Sequence, residues 1–280
     1  NYVSFADKTW RIVRINGDGT IRLILDDVAK DTNGSVIKTK FNTNSNDNAY
    51  VGYMYGTAGS TTYDATHENK NDSTIKIAVD KWYEDNLKTN YANYLSDTLF
   101  CGDKTLAENG IGGTTPQLGY GATQTTYSVN ERIRYSTGTT DITTSTPTLK
   151  CAEKANDNYS RYSTTKSTLP DGKETNGNLK YPIGLLSPDE VAYAGAYKYN
   201  QTNKTYYLYD TSITSGWLLL STSSYTGTTA IVYSVNGYSS NLNTVYTDKL
   251  YSFRPTINLK NDTKFTGTGT STDPYKIVSE

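Results

Sequence analysis

Residues 216–260 read GWLLLSTSSYTGTTAIVYSVNGYSSNLNTVYTDKLYSFRPTINLK. An apolar run opens at Trp217 and starts one strand. A second strand covers 229–235, with Ala230, Val232 and Ser234 on one face and Ile231, Tyr233 and Val235 on the other. Asn236-Gly237 then supplies a turn, and Phe253 to Leu259 forms a final strand. Between Asn236 and Phe253 the chain carries Tyr238, Ser239, Ser240, Asn241, Asn243, Tyr246 and Tyr251, residues that a core would not choose. A regular frame with such tips makes either a solvated β-surface or a contact platform. The whole chain shares the bias: 26 Tyr stand against five Phe and three Trp, the composition of binding surfaces in which Tyr gives contact area at low entropy cost.

Outward from this segment, residues 2–26 alternate around the turn Asn16-Gly17-Asp18-Gly19 and predict an N-terminal hairpin. Asp18 belongs to that turn rather than to a calcium loop, because the later ligand positions are missing. Ser73 caps a helix in which Ile75, Ala78, Val79, Trp82, Tyr83 and Leu87 recur at helical spacing, so Trp82 is expected as a core anchor. A short helical pattern runs from Tyr127 to Tyr135. YPIGLL (181–186) reads as a short buried strand, and Ser187-Pro188-Asp189-Glu190 as a capping box that starts a helix running to about Tyr197. GIGG at 110–113 is not a phosphate loop, since no Lys-Ser or Lys-Thr follows it. The tail GTGTSTDPYKIV reads as a turn and a last edge strand. The expected fold is α+β, one domain over 1–280, with paired terminal strands, two main helices and long loops.

Charge and motifs bound the chemistry. Lys and Arg number 27 against 28 Asp and Glu, a net charge of −1, which implies no basic surface for nucleic acid or anionic lipid. No apolar run reaches the roughly 18 residues of a membrane-spanning helix. Cys101 and Cys151 sit in no metal-like cluster and are expected to form a disulfide, with two buried free thiols as the alternative; the bridge would place the protein outside the cytoplasm. The one histidine, His67, lies in the polar run ATHENKNDS and reads as a surface-loop residue. Asp189 and Glu190 are explained by the helix start, and Asp26 and Asp27 by the end of a strand, so no acid/base pair and no catalytic residue is assigned. No cofactor is expected. Asn46, Asp47, Asn71 and Asp72 could hold a structural calcium, though no loop motif supports it.

The order SPDEVAYAG, YYLYD, GWLLLS, AIVYSVNG, FRPTINL resembles the C-type-lectin-like fold of the formylglycine-generating-enzyme type, as found in bacterial surface and pilin-associated proteins. The opening NYVSFADKTWRIVRINGDGTIRLI is similar to the N-terminal hairpin of bacterial surface proteins that often follow a pilin-like anchoring helix. These stretches cover around a third of the chain. The resemblance implies an extracellular domain on a bacterial surface or pilus that binds a protein or glycan, on a host or neighbouring cell, without catalysis. It also extends to the variable proteins of diversity-generating retroelements, in which the segment before the Arg-Pro strand, here 216–253, is rewritten at adenine-bearing codons. Carried over by position, the contact residues are Trp217, Ser223, Ser224, Tyr225, Ile231, Tyr233, Tyr238, Tyr246 and Tyr251, with Arg254 and Pro255 as framework. The cysteine pair or histidine cluster of catalytic relatives is absent near this segment, as are the tripeptides of sugar-binding calcium lectins. A structural subunit of a pilus or surface filament is the alternative, and a calcium lectin or an enzyme on the same fold is the next.

Overall fold

The computed structural model describes residues 1–108, 117–133, 145–164, 174–198, 203–210 and 212–278. The GIGG segment, Tyr135 and much of 137–149 lie outside them. Among the described residues, two main sheets are built from β1 (Tyr2–Phe5), β2 (Lys8–Ile15), β3 (Ile21–Leu25), β4 (Thr125–Thr126), β5 (Ile183–Gly184), β6 (Trp217–Tyr225), β7 (Ala230–Val235), β8 (Leu242–Tyr246), β9 (Ser252–Phe253), β10 (Thr256–Leu259), β11 (Phe265–Thr266) and β12 (Tyr275–Ile277). Four short helices accompany them: α1 (Tyr63–His67), α2 (Thr74–Asn86), α3 (Ser128–Arg132) and α4 (Pro188–Tyr193). The architecture is α+β and dominated by sheet.

The first sheet has the order β5-β10-β3-β2-β1-β12-β11. Its centre is the N-terminal hairpin, whose turn is fixed by Asp18 Oδ1, which accepts the Thr20 amide at 3.0 Å. The two ends of the chain meet in this sheet, because β12 pairs in parallel with β1 through Val3 and Tyr275. The tail strand is therefore not the edge; a two-residue strand, β11, covers it. The second sheet runs β8-β7-β6-β9, and β4 adds to the far end of β6.

β6 joins the two halves of the interior. All nine of its residues are buried. Leu218 and Leu220 enter a core with Trp10, Phe41, Trp82 and Ile257, whereas Trp217 and Leu219 enter a second core with Ile24, Leu186, Val191 and Tyr233. A strand covered on both faces reads as a continuous apolar run, which is what WLLL is. Arg254 locks the sheets together: its Nε donates to Leu25 O at 2.8 Å, its Nη2 donates to Asp26 O at 3.1 Å, and its guanidinium lies 5.1 Å from the Trp217 ring centroid.

α2 forms where its periodicity predicts it, with Ser73 Oγ accepting the Lys76 amide. Trp82 packs edge-on to Trp10 at 6.1 Å. The capping box at α4 is complete: Ser187 Oγ accepts from the Glu190 amide at 3.1 Å and Glu190 Oε2 accepts from the Ser187 amide at 2.9 Å. The helix stops at Tyr193 rather than near Tyr197. Gly195 has φ +112°, and a Cβ there would lie 2.9 Å from Tyr206 Cβ, so the chain turns away to let Tyr206 pack. Cys101 and Cys151 form a disulfide, with Cα atoms 5.0 Å apart.

Candidate functional site

The β7–β8 hairpin and the loop before β6 enclose an open cleft of roughly 300 Å³. The hairpin turn is built by Asn236, whose Oδ1 accepts the amides of Tyr238 (2.9 Å) and Ser239 (3.2 Å). Ser240 takes φ +50°, and its carbonyl accepts the buried Tyr206 hydroxyl, so the turn is anchored from below. This conformation projects Tyr238 outward, where 78% of it is exposed. Gly237 and Gly216 permit the loop to touch the turn: a Cβ on Gly237 would meet Thr214 O at 2.3 Å, and one on Gly216 would meet Val235 O at 2.7 Å.

Tyr251 forms the opposite wall, held by a reciprocal backbone pair with Thr39 (2.8 and 2.9 Å), which also brings Lys38 to the rim. Leu250, 62% exposed, adds an apolar edge. Asn243 and Ser234 are cross-strand partners in the lining, and the buried Ser234 hydroxyl has no hydrogen-bond partner. The cleft thus combines two Tyr rings, amides, hydroxyls and one ammonium.

The structure divides the nine sequence-derived contact residues into three groups. Tyr238 and Tyr251 line the cleft together. Ile231 and the exposed Tyr246 are directly paired across β7 and β8, on the side of the ladder away from Ser234 and Asn243. The remaining five, Trp217, Ser223, Ser224, Tyr225 and Tyr233, are interior, and their expected exposure is corrected. Both Tyr hydroxyls of this group are satisfied: Tyr225 donates to Asn46 O at 2.8 Å, and Tyr233 bonds Asn130 Oδ1 at 2.9 Å and the Lys198 ammonium at 3.1 Å. A paired hydroxyl removes the cost that would otherwise keep Tyr at the surface.

No family model matches the chain, and neither does any curated protein or solved structure.

His67 is also corrected, from a surface loop to the interior. Its Nε2 lies 2.7 Å from Gly119 O and 3.3 Å from the Tyr127 hydroxyl. Burial, reinforced by the Lys104 charge, depresses its pKa to about 3 against the Gly119 hydrogen bond. The ring is neutral at physiological pH. Among the described residues, no group of three or more His, Cys, Asp or Glu side chains is placed to hold a metal. Of the possible calcium ligands, Asp47 caps the turn at Asn48–Val51 and Asp72 pairs with Lys76 at 3.1 Å.

Sequence reasoning missed Lys38, Ser234, Asn236, Asn243 and Leu250 as cleft residues. The Asn-Gly turn was a signal for Asn236. Lys38 had none, since it reaches the site only through the Thr39–Tyr251 pairing.

Proposed function

We propose that this chain is an extracellular ligand-binding or adhesion domain of a bacterial surface, and that its ligand, a protein or a glycan, enters the cleft between Tyr238 and Tyr251. The carrying observation is Tyr238, a large aromatic ring held out in solvent by an ordered turn above a polar cleft. Rigid aromatic groups beside adaptable amides and hydroxyls suit recognition, because little side-chain entropy is lost on contact. The reading is binding rather than catalysis. The disulfide supports an oxidising location. A C-type-lectin-like assignment is supported by the pairing of the chain ends and by the framework role of Arg254. On a retroelement-type origin, variation would be tolerated at Tyr238, Asn243, Tyr246 and Leu250, and opposed at the buried Tyr225 and Tyr233.

The test is a screen of the domain against glycans and extracellular host proteins, followed by Tyr238→Ala and Leu250→Asp. Both variants should weaken binding by tenfold or more and leave Tm within about 2 °C, since exposed substitutions are nearly neutral. Binding that survives both and is lost in Ile231→Asp or Tyr246→Ala would move the site to the opposite face of the hairpin.

A further inference from the structure

β2 and β3 place Arg14 directly opposite Arg22. Like charges at such a position are destabilising unless something neutralises them. Here one carboxylate does so: Glu190 Oε1 lies 2.8 Å from Arg14 Nη1 and 2.6 Å from Arg22 Nη1. The other oxygen of Glu190 is used by the Ser187 amide, and the adjacent carboxylate, Asp189, faces away to Arg132 at 2.9 and 3.0 Å, a guanidinium that it shares with Asp103 at 2.9 Å. Two guanidiniums therefore share one negative charge.

The residual charge belongs to Arg14. Arg22 is buried, and its nitrogens are engaged by Asn258, Glu190 and the Leu99 carbonyl. Arg14 keeps 21% of its side chain exposed; its Nε donates to the neutral Asn16 Oδ1 at 2.8 Å, and its Nη1 contact with Glu190 lacks the alignment of a hydrogen bond. Beside it opens a cleft of roughly 360 Å³. The walls are apolar, from Ile15, Leu99 and Leu149, and Lys150 adds a cation to the arginine pair. Ile15 is 69% exposed and Leu149 38%, so two large apolar side chains of one cleft face solvent together. The Cys101–Cys151 disulfide tethers the Leu149–Cys151 wall. Buried in the same lining is Thr98, whose hydroxyl has no hydrogen-bond partner.

We propose that this cleft, where an under-neutralised arginine pair meets an apolar wall, binds an aliphatic carboxylate. A carboxylate head supplies the missing negative charge and accepts from Arg14, and an alkyl body covers Ile15, Leu99 and Leu149. A small inorganic anion leaves those walls wet, and an alcohol leaves the charge unmet. The site is separate from the Tyr238 cleft and does not depend on what that cleft binds.

The experiment titrates decanoate into the full chain by calorimetry, with 1-decanol and acetate as controls. Saturable one-to-one decanoate binding is expected, with decanol and acetate each at least tenfold weaker. Arg14→Gln and Leu149→Asp should each weaken decanoate tenfold or more, and Tyr238→Ala should leave it unchanged. Lys150→Gln, at an exposed position, should weaken it severalfold even if Arg14→Gln fails to fold. Equal affinity for decanol, no saturable binding of decanoate, or indifference to both Leu149→Asp and Lys150→Gln would overturn the proposal.

Discussion

Replacing Glu190 by Gln tests the electrostatic junction between the first sheet and α4. Gln conserves the shape and can still accept the Ser187 amide, so the capping box persists while the charge is lost. Removing one partner of a buried pair typically costs about 3–5 kcal/mol, because the other charge stays buried and unmet. Two guanidiniums are affected here, but Arg14 is partly exposed and relaxes toward water, which points to the lower end, about 3 kcal/mol. With about 2.1 cal/mol/K of unfolding entropy per residue, 280 residues give roughly 0.6 kcal/mol/K, so Tm should fall by about 5 °C.

The pH dependence carries a second reading of the same charge. Burial alone would raise the Glu190 pKa, but the charges of Arg22 and Arg14 and the Ser187 amide outweigh it and hold the carboxyl below its ordinary value. A depressed folded pKa contributes stability that is full above the unfolded value, about 4.3, and is lost as pH falls through the folded one. Thermal melts from pH 7 to pH 3 should therefore narrow the gap between Glu190→Gln and the parent once pH falls below about 4.3. The double variant Glu190→Gln/Arg22→Met should recover more than half of the loss at pH 7, because no charge then remains buried beside Leu99. A Tm change under 1 °C, or a deficit in Glu190→Gln that persists unchanged at pH 3, would refute the reasoning.

Two further outcomes follow from the interior. The Cys101–Cys151 bridge spans 50 residues, so Cys101→Ser/Cys151→Ser should lose about 4 kcal/mol, or roughly 7 °C in Tm; a loss below about 1 kcal/mol in reversible urea unfolding would contradict the loop-entropy account. The His67 ring signals in proton NMR should stay at their neutral positions from pH 8 to pH 4.5. Because the unfolded chain takes up this proton near pH 6.5 and the fold does not until about pH 3, stability should fall by about 1.4 kcal/mol per unit across that interval; a midpoint near 6.5 in the folded protein would show that the ring is not buried.

Local signals were legible where they were strong. The Ser73 cap and the spacing from Ile75 to Tyr83 are sufficient for α2, and Ser187-Pro188-Asp189-Glu190 for the start of α4. The Asn16–Gly19 turn sets the N-terminal hairpin. β8 was not legible, because LNTVY carries only Leu242 and Val245 as inward residues within a polar run, and its place depends on pairing with β7. The same reason explains the contact residues that moved inside. Tyr225 and Tyr233 look like tips in the chain, yet Asn46 and Asn130, over 100 residues earlier, satisfy their hydroxyls.

The sequence by itself determined where helices and turns begin, because capping, periodicity and turn chemistry act over a few neighbours. It also determined that Tyr, Ser, Thr and Asn would dominate whatever surface the 216–253 segment offered. Which of those residues reach solvent was decided only by tertiary structure. β6 is covered on both faces by segments far away in the chain, and burial, unlike capping, is a property of what packs on top.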